Sequence, residues 1–342
     1  MKVLVTGHNG FIGPILVRRL VEAGHKVIGF DTDYFKDCSF YKYLPIENQI
    51  IKDIRKLEAK DLDGVEAVIH LAALSNDLMG EFDPAITDDI NYKATMLLAN
   101  LAKKQGIDRF IYSSSCSIYG RSDQKSITEE VPMDPITAYA KSKRDCEVSL
   151  ATLADKNFCP VYMRNATAYG VSPFLRTDLV VNNLVAWAVT SGKICIMSDG
   201  TPWRPIAHID DIAQAMVCAL TAPRENIYNQ AFNIGRNEDN YQIRDIASMV
   251  KNVTTNTDVT YTNEHGGDSR SYNVNFDKVL KHMPSFRPSW NLEKGVVELY
   301  EAYHKHGMTT ELFTGKSFTR MKQLRWLLDN NKIDQHFYRK DI

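Results

Sequence analysis

Short apolar runs alternate with stretches of helical spacing along most of the chain. The apolar runs predict strands at residues 2–6, 25–30, 49–52, 65–73, 109–113, 160–163 and 231–234. The fourth run is apolar almost throughout, as expected of a strand that helices cover on both faces. Helical spacing is clearest in residues 84–104 and 137–153. Strands that alternate with helices predict an α/β fold built on a doubly wound parallel sheet.

A glycine-rich turn joins the first predicted strand to the first predicted helix. It contains Gly7, Gly10 and Gly13, with Phe11 and Ile12 between the last two glycines. The first glycine permits a tight turn, the second lets the backbone approach a pyrophosphate, and the third lets the helix pack closely. Free N–H groups at the helix N-terminus attract an anion. This order of strand, turn and helix predicts a dinucleotide site.

Carboxylates follow the second and third predicted strands. Asp31 ends the second strand, where it can accept hydrogen bonds from both ribose hydroxyls and repel a 2′-phosphate. This favours NAD over NADP. Asp53 and Ile54 follow the third strand and could bracket an adenine, with the carboxylate accepting from its amino group. An ordinary turn at the end of the strand is the alternative.

The fourth predicted strand ends in small residues and is followed by polar ones. Ala72 and Ala73 would let the backbone lie against a cofactor. Ser75 and Asn76 come next, where a substrate could reach. We therefore expect the substrate to bind beside the dinucleotide.

A tyrosine and a lysine share one face of the predicted helix 137–153. Tyr139 and Lys143 are four residues apart. A free tyrosine has a pKa of about 10 and is a poor base at neutral pH. An ammonium one turn away, and an oxidised nicotinamide ring, would favour the phenolate. With a serine hydroxyl from the preceding strand this is general-base chemistry beside a hydride acceptor; a surface helix with an incidental pair is the alternative.

Isolated charges mark the less regular second half of the chain. Arg204 and Arg270 are flanked by turn residues and suit a clamp on a substrate diphosphate. Solvated charge is the alternative interpretation of both arginines. Asp210 and Asp211 are expected to cap the N-terminus of the helix that follows them.

Composition limits the classes of partner. The chain has 342 residues, a length that suits two subdomains sharing one core, and its formal net charge is −1. Near-neutral charge argues against nucleic acid or an anionic membrane as the main partner. We expect no membrane span and no signal peptide. The six cysteines lack C-x-x-C pairing, which predicts reduced thiols of a cytoplasmic protein and no metal site.

Together these residues resemble the extended short-chain dehydrogenase/reductase superfamily, in its NAD-dependent nucleotide-sugar epimerase/dehydratase branch. The resemblance covers residues 1 to about 305. Its motifs are Thr6-Gly7-x-x-Gly10-x-x-Gly13, Asp31, Asp53-Ile54, Leu71-Ala72-Ala73, the serine cluster before Ile118-Tyr119-Gly120, and Tyr139-x-x-x-Lys143. The resemblance implies a Rossmann-type sheet with a smaller α/β C-terminal substrate domain, NAD as cofactor and a nucleotide-diphosphate sugar as substrate.

The resemblance also implies roles for individual residues. Tyr139 would be the catalytic base, Lys143 would hold the nicotinamide ribose, and Ser115 would complete the triad. The implied cofactor-binding residues are Gly7, Gly10, Phe11, Ile12, Gly13, Asp31, Asp53, Ile54, Leu71, Ala72, Ala73, Ser113, Tyr139 and Lys143. The implied substrate-binding residues are Ser75, Asn76, Thr167, Asn183, Arg204 and Arg270. Thr167 replaces the family's asparagine, and residues 265–268 replace its Arg-Pro-Gly-Asp.

The serine cluster narrows the expected reaction. Dehydratases that resemble this chain have Asp-Glu directly after the catalytic threonine, whereas Cys116 and Ser117 occupy those positions here. Loss of both carboxylic acids disfavours 4,6-dehydration. Cys116 is either an acid/base or a buried, inert thiol. We therefore predict a 4-epimerase, with a net 4-dehydrogenase or 4-ketoreductase as the alternative and a non-catalytic NAD sensor as a rival of another class.

The predicted organisation has three parts. Residues 1–165 would form the NAD-binding domain, to which residues 205–235 return. Residues 166–204 and 236–305 would form the substrate-binding domain. A helical extension, residues 306–342, could be a lid, a dimer contact or a docked tail. The resemblance further implies a homodimer that pairs helices 84–104 and 137–153 in a four-helix bundle.

Overall fold

A seven-stranded parallel sheet forms the centre of the molecule. The computed structural model describes residues 1–75, 83–121, 126–254, 256–262 and 271–341. Its strands are β1 (Lys2–Thr6), β2 (Lys26–Asp31), β3 (Gln49–Ile51), β4 (Ala67–His70), β5 (Arg109–Ser115), β6 (Cys159–Asn165), β7 (Thr167–Tyr169), β8 (Lys193–Ile196), β9 (Trp203–His208), β10 (Gln230–Ile234), β11 (Asn240–Gln242) and β12 (Asp258–Tyr261). The order in the large sheet is β10-β6-β5-β4-β1-β2-β3. Successive strands are therefore added first on one side of β1 and then on its other side. The crevice at this switch point is where such sheets bind ligands.

Helices cover both faces of this sheet. The α-helices of the described ranges are α1 (Gly13–Glu22), α2 (Pro84–Thr87), α3 (Ala94–Lys104), α4 (Ala138–Leu153), α5 (Val180–Ser191), α6 (Ile209–Thr221), α7 (Arg224–Ile227), α8 (Ile243–Thr254), α9 (Asp277–His282), α10 (Leu292–Lys305), α11 (Thr310–Thr314) and α12 (Arg320–Asp329). Side chains of β1 alternate between two cores: Val3 and Val5 pack with α1 and α6, and Leu4 packs with α3 and α4. The predicted fold class is confirmed.

Two smaller sheets lie in the second half of the chain. One has the order β11-β9-β7, and the other pairs β12 with β8. A third apolar cluster joins α5, α8 and α10 through residues such as Val185, Val250 and Leu299. The domain boundaries expected from the sequence stay a prediction. Within the described ranges, no helix combines the length and apolar character that crossing a bilayer requires.

Two local predictions needed correction. The helix expected over residues 84–104 contains a π-helical stretch, Asp88–Lys93, between α2 and α3. The N-cap of α6 is His208, whose side chain accepts from the Asp210 N–H. Asp210 instead pairs with Arg18 and Arg19 of α1, so its carboxylate ties two helices together rather than capping its own.

Candidate active site

A cleft of about 780 Å³ opens at the carboxyl ends of the parallel strands. Such a volume suits a ligand the size of a dinucleotide or a nucleotide sugar. The predicted site residues that line it are Gly7, Gly10, Phe11, Ile12, Gly13, Asp31, Ile54, Leu71, Ala72, Ala73, Ser75, Ser113, Ser115, Tyr139, Lys143, Thr167, Asn183 and Arg204. Asn76 and Arg270 lie outside the described residues.

The glycine-rich turn leaves no room for side chains at two of its positions. Gly7 has a φ of +74°, and a Cβ there would lie 2.8 Å from the Ala72 nitrogen. A Cβ on Gly13 would lie 2.3 Å from the His8 carbonyl oxygen. Both clashes are with backbone, so they cannot be relieved by a rotamer change. The turn therefore keeps its backbone close to the cleft, as pyrophosphate binding requires.

Backbone N–H groups orient the Asp31 carboxylate at the end of β2. Its Oδ2 accepts from Asn9 N at 3.0 Å, and its Oδ1 accepts from Asp33 N at 2.8 Å. Burial raises the pKa of this carboxyl, although these hydrogen bonds oppose the shift. Together with the glycine-rich turn, this fixed acceptor fits NAD. That it binds the ribose stays a prediction.

The carboxylate of Asp53 is already paired with a neighbouring arginine. Its carboxylate binds the Arg55 guanidinium through two hydrogen bonds, of 2.9 and 2.6 Å, and accepts from Arg55 N. Ile54 lines the cleft. Contact of Asp53 with adenine stays a prediction, and Arg55 would share the carboxylate.

Three predicted catalytic residues line one cleft. Tyr139 lies in the first turn of α4, whose N-cap Thr137 accepts from Ala140 N at 3.2 Å. Lys143 is buried; its Nζ donates to the Ser113 carbonyl at 2.6 Å and lies 5.8 Å from the centre of the Tyr139 ring. Burial lowers the pKa of Lys143 to about 8, which leaves it mainly protonated at neutral pH.

Ser115 ends β5 on the same side of the cleft. Its Oγ accepts from Ser117 N at 3.2 Å, which fixes the hydroxyl at the start of the following turn. The arrangement can stabilise a tyrosinate through the nearby Lys143 ammonium, and the tyrosinate can take a proton from a hydroxyl. The individual catalytic roles stay predictions.

Asn91 is a polar residue of this region for which the sequence indicated no specific role. It lies in the π-helical stretch, a distortion frequent at functional sites. Its Oδ1 accepts from Leu74 N at 2.8 Å, and its Nδ2 donates to Leu74 O and to Ser142 Oγ at 3.2 and 3.1 Å. Asn91 thus connects the end of β4 to the helix that carries Tyr139. In the sequence, the signal that could have indicated this role is an amide side chain among the apolar positions of the predicted helix.

The Cys116 thiol points away from the cleft. The residue is 1% exposed, and its Sγ donates to the Arg164 carbonyl at 3.1 Å. Burial raises the pKa of this thiol well above its usual range. Ser117 lines the cleft and Cys116 does not. These facts support the interpretation of Cys116 as an inert, buried thiol.

An ion pair that the sequence analysis missed forms part of the cleft wall. Arg176 is buried and bonds Asp178 through Nε and Nη2 at 3.0 and 2.9 Å. Its Nη1 donates to the carbonyl and hydroxyl oxygens of Ser75 at 3.1 and 3.0 Å. Burial alone would raise the pKa of Asp178, but Arg176 outweighs it and the pKa is lowered. The pair fixes Ser75, a predicted substrate residue.

Two predicted substrate residues lie on smaller elements of the cleft. Arg204 is buried on β9, and its Nη1 donates to the Trp203 carbonyl at 2.9 Å. Asn183 lies on α5, where its Nδ2 donates to Thr177 O at 2.9 Å. The structure thus brings both side chains to the cleft that holds the triad. Their contacts with substrate stay predictions.

Relatives of this chain include enzymes of two reaction types. A model of the NAD dependent epimerase/dehydratase family matches residues 3–235. UDP-glucose 4-epimerase from Corynebacterium glutamicum is 28% identical over 74% of this chain and 80% of that protein. dTDP-D-glucose 4,6-dehydratase from Mus musculus is 24% identical over 89% of each chain. The solved UDP-glucuronic acid 4-epimerase from Bacillus cereus, in complex with UDP-glucuronic acid and NAD, has a TM-score of 0.75 at 25% identity, covering 89% of this chain and 99% of that chain.

Proposed function

Because the chain belongs to the NAD dependent epimerase/dehydratase family, we propose that it is a nucleotide-sugar 4-epimerase. The resemblance inferred from the motifs is confirmed, and so is NAD as the cofactor. The chain is an NAD-dependent enzyme of the extended short-chain dehydrogenase/reductase type. The proposal concerns which reaction it performs on the sugar.

One observation carries the proposal: the cleft holds the predicted base and its supporting groups, and neither of the two residues after Ser115 supplies the carboxylic acid expected of a dehydratase. Tyr139, Lys143 and Ser115 line it together. The next two residues along the chain are a buried thiol, Cys116, and the hydroxyl of Ser117. Expulsion of water needs a proton donor, whereas epimerisation at C4 needs only a base and a hydride acceptor.

The chain's own residues would move one proton in each direction. Bound NAD supplies the hydride acceptor and later the hydride donor. Tyr139 would take the proton of the C4 hydroxyl, and the Lys143 ammonium would stabilise the phenolate. Ser115 would donate a hydrogen bond to the same sugar oxygen. After the keto sugar turns over, Tyr139 would return the proton, so the product is the C4 epimer with no net redox change.

The diphosphate of the substrate would bind to Arg204 and Asn183, which line the same cleft. Arg204 is a buried cation whose guanidinium can bond two phosphate oxygens at once, and Asn183 adds an amide donor nearby. Nucleotide sugars are the substrates of the named relatives. We therefore extend that substrate class to this chain, without assigning the base or the sugar.

A panel of UDP-, GDP-, CDP- and dTDP-sugars tests the reaction type. Purified enzyme with NAD is incubated with each sugar, products are separated by chromatography, and NADH is followed by its absorbance. An isomer that accumulates without net NADH supports the 4-epimerase. Stoichiometric NADH would instead identify a dehydrogenase, and a 4-keto-6-deoxy product would overturn the argument from Cys116 and Ser117.

We also propose that two copies pair through α3 and α4. Val148 of α4 is 54% exposed, and Met96 of α3 and Tyr92 of the preceding π-helical stretch are only partly buried. Replacing Val148 by aspartate places a charge on the proposed interface and should convert a dimer into monomers in sedimentation velocity. A dimer that persists in the variant, or a wild-type monomer, would contradict this pairing.

A further inference from the structure

The C-terminal segment, residues 306–341, packs on the loop that follows β2. Gln323 Nε2 donates to the Tyr34 carbonyl at 3.1 Å. Arg339 Nη1 donates to the Thr32 carbonyl at 3.1 Å. This loop begins directly after Asp31, the carboxylate predicted to bind the adenosine ribose. The segment therefore lies at the adenosine end of the cleft.

Apolar side chains anchor this segment in the core. Leu324, Ile333 and Phe337 are at most 5% exposed and belong to the same cluster as Leu4 and Phe30 of the central sheet. Burial of these three large apolar side chains stabilises the docked arrangement. The segment is thus an integral part of the fold.

One residue of this segment reaches the cleft itself. Arg320 begins α12, is 4% exposed and lines the cleft. Its Nη2 donates to the Phe174 carbonyl at 2.8 Å, and its guanidinium carbon lies 3.9 Å from the centre of the Phe35 ring. Its Nη1 is buried and has no hydrogen-bond partner among the residues that the structure describes.

A buried guanidinium nitrogen without a hydrogen bond is unfavourable in the wall of a cleft unless a ligand accepts a hydrogen bond from it. A buried charged donor without an acceptor loses its hydration and gains nothing in return. Burial, followed by the nearby positive charge of Arg176, lowers the pKa of Arg320 to about 10. Anionic or hydroxyl oxygens of a ligand would supply the missing acceptor, and guanidinium binds phosphate oxygens especially well.

We propose that Arg320 is a cofactor-binding residue, which donates through Nη1 to the adenosine diphosphate half of the bound dinucleotide. Phe35, on which its guanidinium stacks, belongs to the loop after Asp31, and Gln323 and Arg339 of the same C-terminal segment contact that loop as well, which favours this half. The role is independent of the sugar reaction. It also assigns the C-terminal segment a function: the segment supplies one wall of the dinucleotide site.

Cofactor titrations without any sugar test the assignment. Arg320→Gln removes the charge and the fork of donors, and we expect the Kd for NAD, measured by calorimetry, to rise about tenfold to a hundredfold. Arg320→Lys keeps the charge and should lose less. Arg325→Gln is the matched control, because Arg325 lies on the same helix with its side chain 60% exposed; its Kd should stay within about twofold of the wild type.

Ligand fragments locate the contact. ADP-ribose carries the adenosine diphosphate half without nicotinamide, so its Kd should rise in Arg320→Gln by the same factor as that of NAD. If Arg320→Gln bound NAD as tightly as Arg325→Gln does, the proposal would be overturned. A loss confined to NAD that spares ADP-ribose would also overturn it.

Hydrogen exchange on the unmodified chain gives a second readout, which does not depend on how the variants fold. Addition of NAD should slow amide exchange across residues 320–329 as well as in the glycine-rich turn. Slower exchange in the turn with no change in residues 320–329 would contradict a cofactor contact by Arg320. Either result is obtained without substrate, so it is separate from the proposed epimerase activity.

Discussion

Replacing Tyr139 by phenylalanine should lower the rate of sugar turnover by about 100- to 10,000-fold, because general acid–base catalysis contributes a factor of that size. The phenyl ring keeps the packing of the first turn of α4, and Lys143 keeps its bond to the Ser113 carbonyl. NAD affinity should therefore stay within about twofold of the wild type. Steady-state kinetics and a calorimetric NAD titration measure the two effects.

Tyr92→Phe provides the control for this loss. Tyr92 Oη bonds Ser149 Oγ at 2.9 Å, on the outer side of the helix pair. Like Tyr139→Phe, this substitution removes a phenolic oxygen, but from a tyrosine that does not line the cleft. The rate of sugar turnover should therefore be nearly unchanged. If Tyr139→Phe behaved like Tyr92→Phe, the base would be another residue or the chain would be a sensor of NAD.

Replacing Glu147 by alanine should lower the free energy of unfolding by about 3–5 kcal/mol, the cost of leaving a buried charge unpaired. Glu147 Oε2 lies 2.7 Å from Arg164 Nη2, and the two side chains are 4% and 6% exposed. Ser114 Oγ also donates to Glu147, so the pair supports the end of β5. Urea unfolding followed by circular dichroism measures the change.

Asp145→Ala is the matched control on the same helix. Asp145 is 47% exposed and pairs with Arg144, which is also near the surface. Its loss should change stability by no more than about 0.5 kcal/mol. Equal destabilisation by the two variants would show that the buried pair contributes no more than a surface one.

The conformation of the glycine-rich turn could be predicted from the sequence because its determinants are local. A strand, three glycines and a helix lie within consecutive residues, and the conformation of Gly7 follows from the turn itself. Asp31 could be placed for the same reason, since it ends a strand whose pattern is clear. The predicted pair of Tyr139 and Lys143 could be found because the two residues share one helical face, whereas the family resemblance alone implies roles for them and for Ser115.

Elements formed by distant partners could not be found in this way. β9 contains Arg204, Pro205 and His208, and it forms a strand by pairing with β11 on one side and β7 on the other. The sequence indicates turn residues around Arg204 and the start of a helix at His208, but no strand between them. The N-cap role of His208 depends on the same placement of the strand.

Buried charges were the other class that sequence reasoning missed. Arg164, Arg176 and Arg320 are all at most 7% exposed, although charged side chains are normally solvated. Arg164 is held by Glu147, Arg176 by Asp178 and Ser75, and Arg320 by the Phe174 carbonyl. Only tertiary structure shows which arginines are partnered and which retain an unsatisfied nitrogen.

The fate of deuterium at C4 of the sugar tests the proposed reaction most directly. A nucleotide sugar that the panel identifies as substrate is labelled with deuterium at C4 and incubated in ordinary water, and the product is analysed by NMR and mass spectrometry. Hydride transfer to NAD and back predicts the C4 epimer with its deuterium retained at C4. Deuterium found at C6 or in released NADH, or replaced at C4 by solvent hydrogen, would contradict 4-epimerisation.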